Sequence, residues 1–576
     1  MTGHKDLKQR TFAADTFAAL PDSLPDVLRR VYAARGVVPE DLDLSLARML
    51  PVSQLDGSAA AAARLAQARL AGERVLVVGD YDADGATATA VVMTCLRAFG
   101  FESPDYLVPD RFRFGYGLSA AIVREAAKRS PDIIVTVDNG VSSHEGAKEA
   151  ARLGIEVIVT DHHLPGVSLP DVAVMVNPNA GGNGFASKSL AGVGVAFYVM
   201  AALGQQLASE GLYDAGEARR ICADCLDLVA LGTVADLVPL DRNNRILVEQ
   251  GLKRIRAGQC RPGVRALFVA AGKTSAEATP ADLGFGIAPR LNAAGRLEDI
   301  SIGIECLLAE SEKLASEKAA ILSRINQARR ELQSEMQQGA DELLRSARAG
   351  IGDTITDGMC LYDADWHQGV VGLVATKIKD QVNRPVIAFA NGEEEGLLKG
   401  SGRSVRGIHM RDVLAAIDAK HPGLIDRYGG HAMAAGLSLN ASNLDEFRQA
   451  FQREIASQVD NIPADNQIIT DGELAPAELS LKLAESLRLS GPWGQGFPEP
   501  LFEGRFEILE QRIVGGSHLK LALRPLDGEQ SIDAIAFNVS ERLTESRECI
   551  AAYKLDVNQF RGRRSEQLVV EHIECV

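Results

Sequence analysis

The stretch Arg74–Gly85, RVLVVGDYDADG, constrains this chain more than any other. Val75 to Val78 form a short apolar run rich in β-branched residues, which reads as a buried strand, and it ends in Asp80, Asp82 and Asp84. On an extended backbone, residues two apart point to the same side, so up to three carboxylates gather at the strand's exit. Like charges that close repel, and a bound divalent cation is the usual remedy. The pattern D-x-D-x-D-G also opens a calcium-binding helix–loop–helix. That loop needs Glu at its twelfth position, where this chain has Val91, and a helix in front rather than a strand. A solvated acidic turn is the simpler alternative.

Beyond Gly85 the pattern alternates. A helix through Ala98 precedes a strand at Tyr106–Val108, then come a helix at Ser119–Lys128, the strand DIIVTVDNG from Asp132 and a helix near Ser143–Leu153. EVIVTDHH from Glu156 and VAVMVNPN from Val172 complete the series. Strands alternating with helices predict a parallel sheet covered on both faces, and such sheets bind ligands at the carboxyl ends of their strands. The polar residues fall at those ends: the Asp80 cluster, Asp138 after DIIVTV, and Asp161, His162 and His163 after EVIVT. Adjacent side chains diverge, so one of the two histidines can reach a metal while the other faces substrate. Asp236 interrupts the apolar LVALGTVADLVPL, either as a further ligand or as a cap.

GFGIAPRLNAAGR places Arg290, Asn292 and Arg296 in a small-residue loop. The guanidinium fork suits phosphate there, with surface ion pairing as the alternative. A long helical pattern, about Glu305 to Ala349, reads as a connector between domains. A second α/β domain follows, containing the loop KGSGRSVRG with Ser401 and Arg403, and RYGGHAMAAG with Gly429, Gly430 and His431. Glycine lets backbone amides approach an anion, and Ser, Arg and His complete a cradle. From about residue 465 short alternating strands predict a small barrel. Arg512, Lys520, Arg524, Lys554, Arg561, Arg563 and Arg564 lie there among Phe506, Phe537, Tyr553 and Phe560, the composition of a single-strand groove and equally of ordinary strand patterning.

A formal charge of −16 excludes a protein that coats nucleic acid or anionic membrane by bulk attraction, so a polyanionic substrate must be held locally. Eight scattered cysteines, with Cys222 and Cys225 the one close pair, lack the second pair of a zinc site and are expected to be reduced core residues. No apolar run of membrane-spanning length and no signal peptide are expected, so the reading is a soluble, cytoplasmic protein.

In order, GDYDADG, VDNG, TDHH and GTVADLVPL resemble the four motifs of the DHH phosphoesterase superfamily, and RYGGHAMAAG resembles the glycine-rich motif of its companion DHHA1 domain. With PDRFRFGYGLS, APRLNAAGR, SGRSVRG and GPWGQGFPEP, the set is similar to the superfamily's exonucleases specific for single-stranded DNA, from about residue 20 onward. The resemblance implies an α/β architecture: a helical extension over 1–50, a parallel-sheet DHH domain over 51–300, a connecting helix over 301–349, a DHHA1 domain over 350–460 and an OB-fold barrel over 461–576. It implies two divalent cations, Mn2+ or Mg2+, held by Asp80, Asp82, Asp84, Asp138, His162 and Asp236, with Asp80 either a direct ligand or one step removed and Asp138 bridging. His163 joins all but Asp80 in the implied catalytic set. Arg111 (or Arg113), His163, Arg290, Asn292, Arg296, Ser401, Arg403, Gly429, Gly430 and His431 would contact substrate. The implied activity is 5′ to 3′ hydrolysis of single-stranded DNA to 5′-mononucleotides in repair and recombination, by a monomer working with a helicase and single-strand-binding protein. A small-molecule phosphoesterase and a non-catalytic scaffold are the rivals.

Overall fold

The computed structural model describes residues 5–109, 117–351, 357–458, 467–539, 541–543, 547–560 and 562–576. The chain forms two compact units, one of Met1–Gly295, Asp299–Ser323 and Gln467–Val576, the other of Arg296–Glu298 and Arg324–Asn466.

In the first unit a short strand β1 (Asp6–Gln9) precedes the main sheet, built from β2 (Val75–Val78), β3 (Asp105–Leu107), β4 (Ile133–Val137), β5 (Glu156–Thr160) and β6 (Val174–Val176). All five pair in parallel in the order β3-β2-β4-β5-β6. Successive residues of β2 serve opposite faces, as the two-residue period of a strand requires. Val75 and Val77 join a core with the Ala83–Ala98 and Gly192–Ser209 helices, while Leu76 and Val78 pack with Ile122, Val123 and Ala150 on the other side. The Gly192–Ser209 helix is long and apolar enough to cross a membrane by length and composition, a run the sequence reading does not anticipate. It lies inside the unit, with Val193, Val195, Tyr198, Val199 and Leu203 fully buried.

In the second unit β7 (Met359–Tyr362), β8 (Val386–Asn391), β9 (Leu397–Arg403), β10 (Arg427–Gly430) and β11 (Ala434–Asn440) form a mixed sheet of order β10-β11-β9-β8-β7. The Val371–Val382 helix packs on the face of Val386, Ala388 and Ala390, together with Met336 and Ala340. KGSGR, expected in a loop, is strand. A Cβ at Gly400 would come within 2.5 Å of Phe389 and 2.7 Å of Leu437, so its glycine serves packing. The connecting helix runs Glu312–Ile351, with a separate Ser301–Leu307 helix before it.

Strand β12 (Gln467–Thr470) pairs with β1. Then β13 (Phe502–Val514), β14 (His518–Pro525), β15 (Ile532–Ala536), β16 (Glu548–Phe560) and β17 (Arg563–Cys575) close into a barrel. The barrel shares the first unit's core and is tied to its N-terminal part. Arg35 grips Asp471 through two hydrogen bonds of 2.7 and 2.9 Å, and the Arg245 guanidinium lies 4.0 Å from the centre of the Phe497 ring. The expected aromatic platforms are only partly there. Phe506 and Tyr553 are buried core, whereas Phe537 is exposed. Lys520, Arg524, Lys554 and Arg564 are paired with carboxylates; Arg561 lies outside the described residues.

Candidate metal centre

Three strand exits converge. Asp80 follows β2 and is buried. Asp82 caps the Ala83–Ala98 helix by accepting from the Gly85 amide at 2.9 Å. Asp84, in the helix's first turn, turns inward and accepts from the Gly192 and Val193 amides at 2.6 and 2.9 Å, the orphan donors at the start of the next core helix. Asp138 adopts φ +62°, a conformation that costs a non-glycine residue energy and marks functional sites. Asn139 holds that turn by donating to the Val78 and Val137 carbonyls at 3.2 and 3.0 Å.

After β5, His162 places Nε2 3.1 Å from Asp138 and 3.5 Å from Asp236. His163 turns the other way, with Nδ1 2.7 Å from Asp161, as the divergence of neighbours predicts. Asp236 sits at the C-terminal cap of the Leu226–Ala235 helix, so it is a cap and a member of the cluster at once. Ligand atoms lie within 4.8 Å of one another in three groups: Asp80, Asp82 and Asp138; Asp84, His162 and Asp236; Asp138, His162 and His163. Asp138 and His162 each belong to two. Oxygen and imidazole donors in this mixture suit Mn2+ and Mg2+ and not a soft metal.

Without cations the cluster carries the electrostatic strain expected of crowded carboxylates. Burial, then Asp84 and Asp82, push Asp138 well above the usual range. Burial, then Asp84 and Asp82, push Asp236 up to about 9; burial and Asp82 raise Asp84 to about 7. Burial pulls the His163 imidazole down, but the hydrogen bond to Asp161 and the field of Asp161, Asp236 and Asp80 outweigh it and lift it to about 9. Asp161 resists its own burial through its bonds to His163 and the Val141 amide and stays below the ordinary carboxylate value.

Asp161, named at its strand end but given no role by the sequence, orients His163 and accepts from three backbone amides. Asn177 and Asn179 donate to the His163 and His162 carbonyls at 2.9 and 2.6 Å. The NPN triplet after β6 was their available signal. Asn292, expected on substrate, accepts from the Ala83 amide at 2.8 Å and so fixes the acidic turn from behind. Its segment is helical, not a loop: Leu283, Ile287, Leu291 and Ala294 recur at helical spacing and are buried across a π-helical Asp282–Ile287 and the Ala288–Leu297 helix. Arg290 donates within the fold to Ser323, Gly286 and Ala270. Arg296 donates to the Gly369 carbonyl at 3.2 Å. Arg111 and Arg113 lie outside the described residues.

The second unit gathers its own group. Gly429 pairs with Gly436, and Gly436 with Ser401, so the three share one face of the sheet. Arg403, two residues on, donates to the Ser401 hydroxyl at 2.9 Å. Gly430 follows Gly429, and the exposed His431 closes the tight turn into β11 by donating its amide to Ala434 at 2.7 Å.

Comparison with known proteins gives this geometry a family. Residues 74–233 match the DHH family, N-terminal domain, 356–457 the DHHA1 domain and 470–572 the RecJ OB domain. The single-stranded-DNA-specific exonuclease RecJ of Dickeya dadantii is 52% identical over 96% of this chain and 97% of its own length. The crystal structure of RecJ from Thermus thermophilus in complex with Mn2+ superposes with a TM-score of 0.82 at 30% identity, covering 99% of this chain and 80% of that one. The corresponding complex with Mg2+ gives 0.75 at 28% identity, over 99% and 78%.

Proposed function

The chain belongs to the RecJ family of single-stranded-DNA-specific exonucleases, and from that premise we propose that the strand-end cluster hydrolyses the terminal phosphodiester of single-stranded DNA from the 5′ side, releasing 5′-mononucleotides. The enzyme is a metal-dependent exonuclease on single-stranded DNA. The observation that carries the mechanism is the overlap of three ligand groups through Asp138 and His162, a donor set that divalent cations would fit. Asp80, Asp82, Asp84, Asp138, His162 and Asp236 would hold Mn2+ or Mg2+. Those cations supply the Lewis-acid charge that attack of water on a phosphodiester anion demands.

The protein's own groups then position and neutralise. His163, oriented at Nδ1 by Asp161 and grouped with Asp138 and His162, is placed to meet a phosphate oxygen as charge develops there. The Asn139 and Asn292 bonds hold the acidic turns in place, so the carboxylates need no rearrangement when substrate arrives. Ser401, Arg403 and His431 on their glycine-floored face suit the 5′ end of a strand. Preference for one strand is assigned to the path around the barrel. A place in repair and recombination, contacts with a helicase and with single-strand-binding protein, a monomeric state and a cytoplasmic location complete the reading.

Nuclease polarity on strands labelled at either end, single and duplex, with and without Mn2+, tests this. Release of labelled 5′-mononucleotide from single strands only is expected. Equal cutting of duplex, or faster turnover of a dinucleotide than of a long strand, would overturn it.

A further inference from the structure

Three thiols meet in the core of the first unit, at the far ends of helices that carry strand-end carboxylates. Cys95 Sγ lies 3.8 Å from Cys225 Sγ, and the Cys95 thiol also interacts with Cys222. Arg261 reaches in and places Nη2 3.0 Å from Cys225 Sγ, its own amide held by Asp227 at 2.8 Å. A guanidinium against a thiol is the environment that favours thiolate. The hydrogen bond with Cys95 and the charge of Arg261 outweigh burial and hold the Cys225 thiol below its ordinary value. Cys222, the third thiol, lines a hollow of about 580 Å3 together with Phe197, Gly204 and Ala218. That hollow admits a small solute to the edge of an otherwise enclosed cluster.

We propose that Cys95 and Cys225 are a peroxide-sensitive dithiol that closes to a disulfide and thereby loosens the metal centre. In the first step the Cys225 thiolate attacks one oxygen of hydrogen peroxide. The O–O bond breaks, hydroxide leaves and takes up a proton as water, and Cys225 becomes a sulfenic acid. Cys95 sulfur then attacks the Cys225 sulfur; the S–S bond forms, the S–O bond breaks, and the Cys95 proton departs with the leaving hydroxide as a second water. Two thiols are oxidised by two electrons and one peroxide is reduced to two waters.

The placement of the pair gives the reaction a consequence. Cys95 lies near the end of the Ala83–Ala98 helix, whose first turn carries Asp84. Cys225 caps the start of the Leu226–Ala235 helix, which ends at Asp236. The helices pack together with Asp84 and Asp236 at one end and the thiols at the other. A disulfide has a sulfur separation of about 2.05 Å, so closing the 3.8 Å gap ties the two helices that bear metal-site carboxylates into a geometry set by the bond.

The test uses the full, reduced, Mn2+-loaded protein exposed to a small excess of hydrogen peroxide, then alkylated and mapped as unreduced peptides. A linked Cys95–Cys225 peptide, short of two hydrogens and reversed by dithiothreitol, is expected. Cleavage of single-stranded DNA should fall by about ten- to 10²-fold, the upper end being what an ångström of misplacement of reacting groups costs, and return on reduction. Cys225→Ser should keep its activity through the same treatment, and Arg261→Met should slow the linkage. Should either variant fail to fold, the wild-type peptide map decides alone, independently of any nuclease assay. Unlinked thiols, or linkage confined to Cys222 and Cys225, overturns the proposed pair; linkage with unchanged cleavage overturns its connection to the metal centre.

Discussion

Glycine does opposite work in the two units. Around the strand-end carboxylates it removes space: a Cβ at Gly192 would stand 2.5 Å from the Asp138 Cβ, and one at Gly232 2.9 Å from an Asp84 oxygen. At the β10–β11 edge beside Ser401 it leaves space open: a Cβ at Gly429 would meet nothing within 4 Å, and one at Gly436 only a carbonyl at 4.0 Å, although one at Gly372 would come within 2.7 Å of Arg403 and 2.9 Å of Ser401. A centre that crowds like charges must be packed tightly enough to keep them from relaxing apart. A face that receives an anion needs bare backbone over which the ligand can settle. One region is closed by its glycines and the other is opened by them.

The largest effect should come from the closed region. Asp138→Ala removes the carboxylate common to two ligand groups, and cleavage of end-labelled single strands should fall on the order of 10³-fold. Strand binding, read by fluorescence anisotropy, should persist. Activity within tenfold of the parent would break the assignment. Gly192→Ala comes next. Its methyl has no room, so the helix or Asp138 must move, with a stability loss of about 1–3 kcal/mol and a fall in rate of about 10²-fold. Thermal unfolding and single-turnover kinetics would show both together. If the variant is as stable and active as its parent, dense packing is not what holds the carboxylates.

The same crowding sets a pH dependence. Asp138 above its usual range, Asp236 and His163 near 9 and Asp84 near 7 all keep protons in the cation-free folded state that the unfolded chain has released. The carboxylates release theirs near pH 4 when unfolded and the imidazole near 6.5. Stability must therefore fall as pH rises from about 5 to about 9. Mn2+ supplies the missing charge, so the rise in melting temperature it produces should grow across that window. Differential scanning fluorimetry in chelator and in Mn2+ would test this; a flat profile in chelator would mean the carboxylates are less crowded than their positions imply.

The closed region was also the more legible one. Strand propensity in VLVV, IIVTV and EVIVT placed Asp80, Asp138 and His162 at neighbouring strand ends, because parallel β-α repetition converts sequence order into spatial adjacency. Asp161 stood in plain view, but its use depends on a ring orientation that spacing does not encode. The open face was read as two loops. It belongs to three strands, β9, β10 and β11, in which Gly400 answers to Phe389 and Leu437 from other parts of the chain, and single-sequence patterns carry no such long-range packing. The same blindness turned the Arg290 and Asn292 helix into a loop and left the pairing of β1 with β12 unread. Cys95 and Cys225 meet across 130 residues, a contact no local pattern announces.

The smallest effect belongs to the open face. An alanine at Gly429 or Gly436 meets no neighbour closer than 4 Å, and neither position has the positive φ that would strain it, so the melting temperature should not move. The added methyl does raise the floor beside Ser401 and Arg403, where the 5′ phosphate is proposed to rest. Displacing that anion should raise KM for a 5′-phosphorylated strand about three- to tenfold, equivalent to about 0.6–1.4 kcal/mol, with kcat held because the metal-site carboxylates are untouched. A strand with a 5′ hydroxyl has no phosphate to lose and should respond less. Equal changes for both strands would make the face a general backbone contact, and a fall in melting temperature would mean that its glycines, like those around Asp138, are there to close a gap.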